Sequence, residues 1–337
     1  MAEWDTLSVL TLVSCFASVI CGVVLLATQY KMAILQYTLR NLLSFLTIAD
    51  IITSTGYIAG TIHYIYVRKD RHSWNSTNVF CEAQSFVTTF SNISSFAWTS
   101  IIVVHIYIMV KTTTDWGQNT RLKVVYHVIG WAIPAVVAVV MLVTGHLGES
   151  YGKTTGPWCW VKLNHTSEIQ SYDTMIMFLS GKAWEILTYF LTLGVFRHLM
   201  IYRCIEKQRK GTGTHGLGQK VNPESPRPED ERFFYLWLPL LLCRVWGTVR
   251  FFMAIPNSKH PETSPIEFLL YMQCIGDGSL AMGNFILFCV LDKDIRAAYL
   301  SACGQKSMNK DKEKHYIPTV SVPYQSIGSS SYWEPMK

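Results

Sequence analysis

Seven stretches of the chain are predominantly apolar, and polar or charged segments separate them. They run approximately from Leu7 to Thr28, Asn41 to Val67, Val79 to Val110, Val124 to Gly145, Met175 to Tyr202, Phe233 to Ile255 and Ile266 to Val290. At about 1.5 Å of rise per residue, about 20 helical residues cross a bilayer core of roughly 30 Å. The pattern predicts an all-α membrane protein, a seven-transmembrane helix bundle. The third stretch differs from the rest. Its only full charge before Lys111 is Glu82, yet it carries Gln84, Ser85, Thr88, Thr89, Ser91, Asn92, Ser94, Ser95, Thr99 and Ser100. Small and hydroxylated residues let helices approach closely and hydrogen-bond inside a bundle. This stretch is expected at the centre, with the other helices around it.

The first stretch raises the question of a cleaved signal. A signal begins with a basic region and has a shorter core. Here Glu3 and Asp5 precede the run while Lys31 and Arg40 follow it, which favours a retained span. Lys and Arg collect in cytoplasmic loops. With the N-terminus outside, nineteen fall in inner segments and six in outer ones, and Lys182, Arg197, Arg244 and Arg250 lie within spans. The expected arrangement is therefore N-terminus out and C-terminus in. The glycosylation sequons at Asn75 and Asn164 both fall in loops that this arrangement places outside. A third match, at Asn92, sits at membrane depth, where no glycan could be attached.

Cysteine usage adds a constraint. Cys81 tops the third stretch and Cys159 lies in the loop after the fourth. An oxidising exterior would pair them; the alternative is two free thiols. Cys15, Cys21, Cys243, Cys274 and Cys289 lie in apolar runs and read as small buried hydrophobes. On the other side, the segment from Arg203 to Arg232 starts basic and becomes rich in Gly and Pro, a composition that cannot bury a core. Beyond the seventh stretch, residues 291–303 put Leu291, Ile295, Tyr299 and Ala302 on one helical face. They predict a short amphipathic cytoplasmic helix, with Cys303 as a palmitoylation candidate. Residues 1–303, the amphipathic helix included, are thus expected to form the seven-transmembrane domain, and 304–337 a disordered cytoplasmic tail.

Composition agrees: 50% hydrophobic against 15% charged residues is far from the roughly 25% charged content of soluble domains. The net charge of +6 is accounted for by topology, and nucleic acid is not an expected partner. The chain has no CxxC, HExxH, Walker A or GxSxG pattern, so neither an enzyme nor a cofactor or metal is expected.

Ionisable residues inside spans are costly and mark functional sites. Counting helical rise from the inner ends places Asp50 at about 14 Å, Arg244 at about 16 Å and Asp277 at about 20 Å. Glu185 and Arg250 come out together at about 26 Å, with Lys182 one turn higher. Two layers are expected: an intramembrane cluster of Asp50, Arg244 and Asp277, and an outer cluster of Lys182, Glu185 and Arg250, with Glu185 and Arg250 paired. The outer layer, with Trp184 and Tyr271, supplies the ligand-pocket candidates. The competing reading is structural pairing that only fixes helix rotation. Pro134 and Pro239 are candidate kinks, and Pro239 is either a hinge or a static bend.

The spans, the outer cysteine pair and Leu46-Thr47-Ile48-Ala49-Asp50 together resemble G-protein-coupled receptors. The third stretch ends His105-Ile106-Tyr107-Ile108-Met109-Val110-Lys111, without the Asp/Glu-Arg-Tyr of the rhodopsin-like branch. The seventh lacks both its Asn-Pro-x-x-Tyr and a retinal-binding lysine. Gly130-Trp131-Ala132-Ile133-Pro134 and Pro157-Trp158-Cys159-Trp160 look like the secretin, adhesion and cAMP-receptor side. Gly181-Lys182-Ala183-Trp184-Glu185 and Arg244-Val245-Trp246-Gly247-Thr248-Val249-Arg250 are similar to the orphan G-protein coupled receptor 157 group. The resemblance implies an orphan plasma-membrane receptor with an unidentified ligand and a heterotrimeric G protein as partner. Arrestin would bind through the tail, and lipid would contact the basic inner ends. Lys111, Arg203, Lys207, Arg209 and Lys210 would form the G-protein face. A few residues precede the first span, which argues against capture of large hormones by an outer domain.

A multi-pass transporter or channel is the alternative, although no internal repeat is visible. An intramembrane aspartyl protease is a third class. Asp277 lies in Ile275-Gly276-Asp277-Gly278, which lacks the leading Gly of a Gly-x-Gly-Asp motif.

Overall fold

The computed structural model describes residues 2–31, 38–69, 79–111, 119–149, 156–162, 170–211, 233, 235–254, 264–292 and 295–296. The chain divides into two units, Met1–Lys293 and Asp294–Lys337. Of the second unit, only the helical residues Ile295 and Arg296 are described. The sequons at Asn75 and Asn164, Cys303, and most of the expected amphipathic helix lie outside the described residues, as do the side chains of Lys207, Arg209 and Lys210.

The first unit is helical. In chain order it holds α1 (Ala2–Lys31), α2 (Thr38–Lys69), α3 (Val79–Lys111), α4 (Thr120–His127), α5 (Ile133–Val143), α6 (Gln170–Met177), α7 (Ala183–Gly211), α8 (Trp237–Ala254), α9 (Ser264–Gly276) and α10 (Leu280–Phe285). One departure from pure helix is a two-residue antiparallel ladder between β1 (Leu147–Gly148) and β2 (Trp160–Val161), with Leu147 opposite Val161. Gly145, at a φ of +73°, turns the chain out of α5 toward that ladder.

Among the described residues, four helices are long and apolar enough to cross a membrane: Thr6–Lys31, Thr38–Val67, Val79–Lys111 and Thr120–Val143. Glu267–Gly276 and Leu280–Val290 make a fifth if the bent pair is one span. α7 and α8, which carry Glu185, Arg244 and Arg250, are not among them. Large apolar side chains such as Val13, Ile20, Val136, Val143 and Phe190 face outward, more than half exposed. That is the arrangement lipid requires of a helix surface.

α3 is the hub. It packs against α2, α5, α7 and both strands, and 61% of its span is buried, against 33% for the first span and 28% for the fourth. Its polar residues account for this position. Ser91 accepts from Thr53 (2.8 Å), Asn92 donates to the Tyr57 hydroxyl (2.9 Å), and Ser100 meets Thr188 (3.2 Å). Such bonds between membrane helices are worth about 0.6 kcal/mol each on average. Lower on α3, Trp98 is fully buried among Phe45, His127 and Trp131, with ring centroids 4.9, 5.5 and 5.5 Å away. It fits there because Gly130 lacks a Cβ, which would collide with the indole.

Three helices contain π turns: Val128–Ala132 before α5, Phe178–Lys182 before α7 and Ile286–Val290 after α10. The first precedes Pro134, which has no N–H to offer the preceding turn. Pro239 is not a mid-span kink. It is the third residue of α8, where its missing N–H would have had no helical partner.

The last apolar stretch is broken rather than continuous. α9 ends at Gly276, and the axis bends by 59° across Asp277, Gly278 and Ser279. Two glycines close together are poor helix formers. The Gly278 carbonyl accepts from Ser54 (2.8 Å), so the break leaves that buried acceptor satisfied.

Candidate functional site

The buried charges converge beside α3. Lys182 closes the π turn ahead of α7, and its Nζ donates to Glu185 Oε2 at 2.9 Å. Glu185 Oε1 accepts from the Tyr189 hydroxyl (2.8 Å) and from Thr248 on α8. Arg244, one turn before Thr248, lies over the Phe96 ring at 5.3 Å and donates to Asn92 Oδ1. Its Nη1 is 3.5 Å from Asp277 Oδ1 at the α9 break. Gln273 Nε2 donates to Asp277 Oδ2 (3.0 Å), and Gln273 Oε1 accepts from Arg250 (3.1 Å). All of these charged groups are at most 6% exposed. Charges held this deep require partners of opposite sign and satisfied hydrogen bonds. The network supplies them across α3, α7, α8 and α9.

The grouping departs from the two expected layers. Arg244 and Asp277 meet, whereas Asp50 forms no ion pair with Arg244 within 4 Å. Its carboxylate accepts from Ser95 (2.5 Å) and Asn284 (3.0 Å). Glu185 takes Lys182, Tyr189 and Thr248 as partners, while Arg250 reaches Gln273 in place of the expected Glu185. Helical rise gives depth and not azimuth, and neither the π turn nor the α9 break shows in a count along the chain.

Between these side chains lies a cavity of about 50 Å³. Lys182, Glu185, Arg244, Asp277 and Gln273 line its charged side. Tyr57, Phe96, Trp158 and Trp160 give it aromatic walls, and Thr88, Thr89 and Asn92 of α3 complete it. Of the sequence candidates, Lys182 and Glu185 reach it directly. Trp184 turns away, donating to the Leu179 carbonyl (3.0 Å) and packing against the Phe96 and Leu240 cluster. Tyr271 packs against the cluster formed by Leu7, Tyr57, Trp158 and Cys274.

Strands β1 and β2 pack against α3 at this end of the bundle. Cys81 and Cys159 form a disulfide. The Cys159 amide donates to Gln84 (3.0 Å), and Ser85 donates to the Gly148 carbonyl (3.3 Å). Trp158 then rests on Tyr57, ring centroids 4.5 Å apart. Just after β1, burial raises the Glu149 carboxyl above its ordinary value, and Lys162 opposes the shift.

At the other end, Lys111 lies over the Tyr202 ring at 4.8 Å. Arg203 follows Tyr202 on α7. Nearby, Arg40 is 3.6 Å from Asp292 and sits over Phe233 and Phe288 at 5.5 and 5.6 Å. A count of basic residues assigns Arg40 only to topology, yet it is 1% exposed. Asn92, Gln273, Asn284 and Tyr57 were likewise unmarked as site residues. Asn92 counts in the sequence as one of the polar residues of α3 and as an unusable sequon, and neither role marks it as a partner for Arg244.

The sequence around this cavity has relatives among known proteins. The sequence profile described as 7 transmembrane receptor (Secretin family) matches residues 4–202, more than half of the chain. The chain belongs to the secretin family of seven-transmembrane receptors. It is therefore a multi-pass membrane protein of the G-protein-coupled receptor class. It is 27% identical over 315 residues to G-protein coupled receptor 157 of Homo sapiens, covering 93% of this chain and 88% of that one. The Mus musculus protein of the same name is 26% identical over 307 residues, covering 90% and 87%. Adhesion G-protein coupled receptor G4 of Homo sapiens is 24% identical over 249 residues, 71% of this chain and 7% of that protein. The transporter alternative is not favoured by these matches.

Proposed function

We propose that this receptor spans the plasma membrane seven times with its N-terminus outside. An external or membrane-borne ligand enters the cavity beneath the Cys81–Cys159 loop, and a heterotrimeric G protein is engaged at the opposite face. One observation carries the reading. The groups that line the cavity are also those that tie neighbouring helices together, Glu185 to Thr248 between α7 and α8, and Arg244 to Asp277 between α8 and α9. A ligand that competes for these partners favours one packing of α8 over another, which is what shifting a population requires.

The inner ends of α7 and α8 border a second, mostly apolar crevice beside Val103 and Ile106, lined by Phe196, Phe233 and Trp237. Movement of α8 would widen it next to Lys111 and Arg203, with Lys207, Arg209 and Lys210 further along α7. These basic residues suit both the G protein and anionic lipid headgroups. Asn75 and Asn164 would carry glycans and Cys303 a palmitoyl chain. Arrestin would bind the tail.

The test is a panel of G-protein activation sensors in cells expressing the chain, without added ligand, alongside Glu185→Gln at matched surface level. We expect at least one G-protein class to respond and Glu185→Gln to change that response. Wild type and variant both at background across all classes, with the protein at the surface, would refute the proposal.

A further inference from the structure

The cavity also bears on what fills it. Its charged wall is balanced, with Lys182 and Arg244 facing Glu185 and Asp277. The next shell is balanced too, with Arg250 and Asp50 adding one charge of each sign. Three atoms among the lining residues make no hydrogen bond within the described structure: Asp277 Oδ1, Arg244 Nε and Thr89 Oγ1. Their residues are 5%, 4% and 2% exposed. Asp277 Oδ1 has the Arg244 charge at 3.5 Å but no hydrogen-bond donor in line with it. Buried polar atoms without partners are costly, so a site that leaves an acceptor, a donor and a hydroxyl open is shaped for a molecule that supplies all three complements.

The balance restricts that molecule further. A lone cation or anion would bring net charge into a neutral, poorly solvated site and would meet repulsion from one half of the wall. An apolar ligand would leave all three atoms unsatisfied. A neutral polar ligand would satisfy them, but through bonds about half as strong as those between charged groups. A zwitterion avoids each penalty. Its ammonium group complements Asp277 and Glu185, and the faces of Tyr57 and Trp158 nearby suit a cation as well. Its carboxylate complements Arg244 and Lys182.

We propose that the cavity binds a small zwitterion, a free α-amino acid. This rests on the reading of the cavity as the receptor's ligand site. A volume of about 50 Å³ is room for roughly four waters, which suits the smallest members of this class. Between them, Arg244 and Asp277 sense both ends of the molecule. Because that pair joins α8 to the α9 break, occupancy draws on a contact that sets the position of α8.

The experiment uses the purified full chain in lipid nanodiscs and follows its thermal unfolding midpoint. Each of the twenty free amino acids is titrated. The one giving the largest shift is then compared in four forms: free, N-acetylated, as the C-terminal amide, and doubly capped. The free form is expected to raise the midpoint saturably, while the three capped forms do so at least tenfold more weakly. Glu185→Gln should move the preference toward the N-acetylated anion, and Lys182→Gln toward the amide. These opposite changes do not depend on how much either variant lowers the starting midpoint. No shift with any amino acid overturns the proposal. If a capped form binds as well as the free one and the charge variants abolish that binding, the zwitterion falls while the cavity stands as the ligand site. If the shift is the same in wild type and both variants, the ligand binds elsewhere and the reading of the cavity falls with it.

Discussion

Replacing Arg244 with Met removes the centre of the buried network and leaves its partners in place. Asp277, 5% exposed, would keep Gln273 as a donor but lose its only cation within 4 Å among the described residues. Asn92 would lose a charge-assisted bond, and Phe96 the guanidinium over its ring. Stripping one partner from a buried ion pair costs about 3–5 kcal/mol, most of it for the charge left behind. Asp277→Leu should cost a similar amount, because it strands the arginine. The double variant should cost far less than the sum, since replacing both members of such a pair by apolar groups is often close to neutral. We expect a coupling of about 2 kcal/mol or more, well beyond the roughly 0.5 kcal/mol within which independent sites add. Equilibrium unfolding of the four proteins in mixed micelles measures it. Additivity within that error would mean that Arg244 and Asp277 do not act as a pair, and the helix link drawn through them would be wrong.

Three other outcomes follow from the packing. Cys159→Ser opens a disulfide that spans 78 residues of sequence and should cost about 2–4 kcal/mol, seen as a lower unfolding midpoint and less protein at the cell surface. Gly130→Val drives a side chain into the fully buried Trp98 indole and should destabilise by about 1–3 kcal/mol; a neutral result in the same unfolding assay would show that α3 and the π turn before α5 are not in the contact described. Arg40→Met removes the cation 3.6 Å from the buried Asp292 and should cost up to about 3–5 kcal/mol, whereas the double variant with Asp292→Leu should recover part of the loss, again measured by unfolding.

Much of this arrangement could be read from residue type and order. The hydroxyls of α3, from Ser85 to Ser100, identified a helix surrounded by others, because lipid offers no partner for them. Cys81 and Cys159 marked the disulfide that ties α3 to the segment ahead of β2, and Lys182, Glu185, Arg244 and Asp277 stood out as charges in apolar runs. What failed was azimuth. Arg250 and Glu185 share a depth, yet Arg250 points to Gln273, and Asp50 lies with Ser95 and Asn284 instead of with Arg244. A π turn just before Glu185 and the break at Asp277 also interrupt the regular helical count, and neither alters hydropathy. The break did have a local signature in Gly276-Asp277-Gly278-Ser279, but the apolar residues on both sides hid it within a single stretch. Arg40 was missed for a different reason: a basic residue at a span end has a ready explanation in topology, and its aromatic partners Phe233 and Phe288 are distant in sequence.

The central claim is that changes in the cavity are transmitted to a G protein through α8. The most direct measurement places donor and acceptor fluorophores, through unnatural amino acids, at the exposed Ile205 on α7 and Tyr235 just ahead of α8. Their distance distribution is recorded in nanodiscs before and after addition of a nucleotide-free heterotrimeric G protein, in wild type and in Glu185→Gln. The account predicts that a longer-distance population appears with the G protein, and that the Glu185 variant changes its fraction. A single unshifted distribution with every G-protein class, in both proteins, would contradict it.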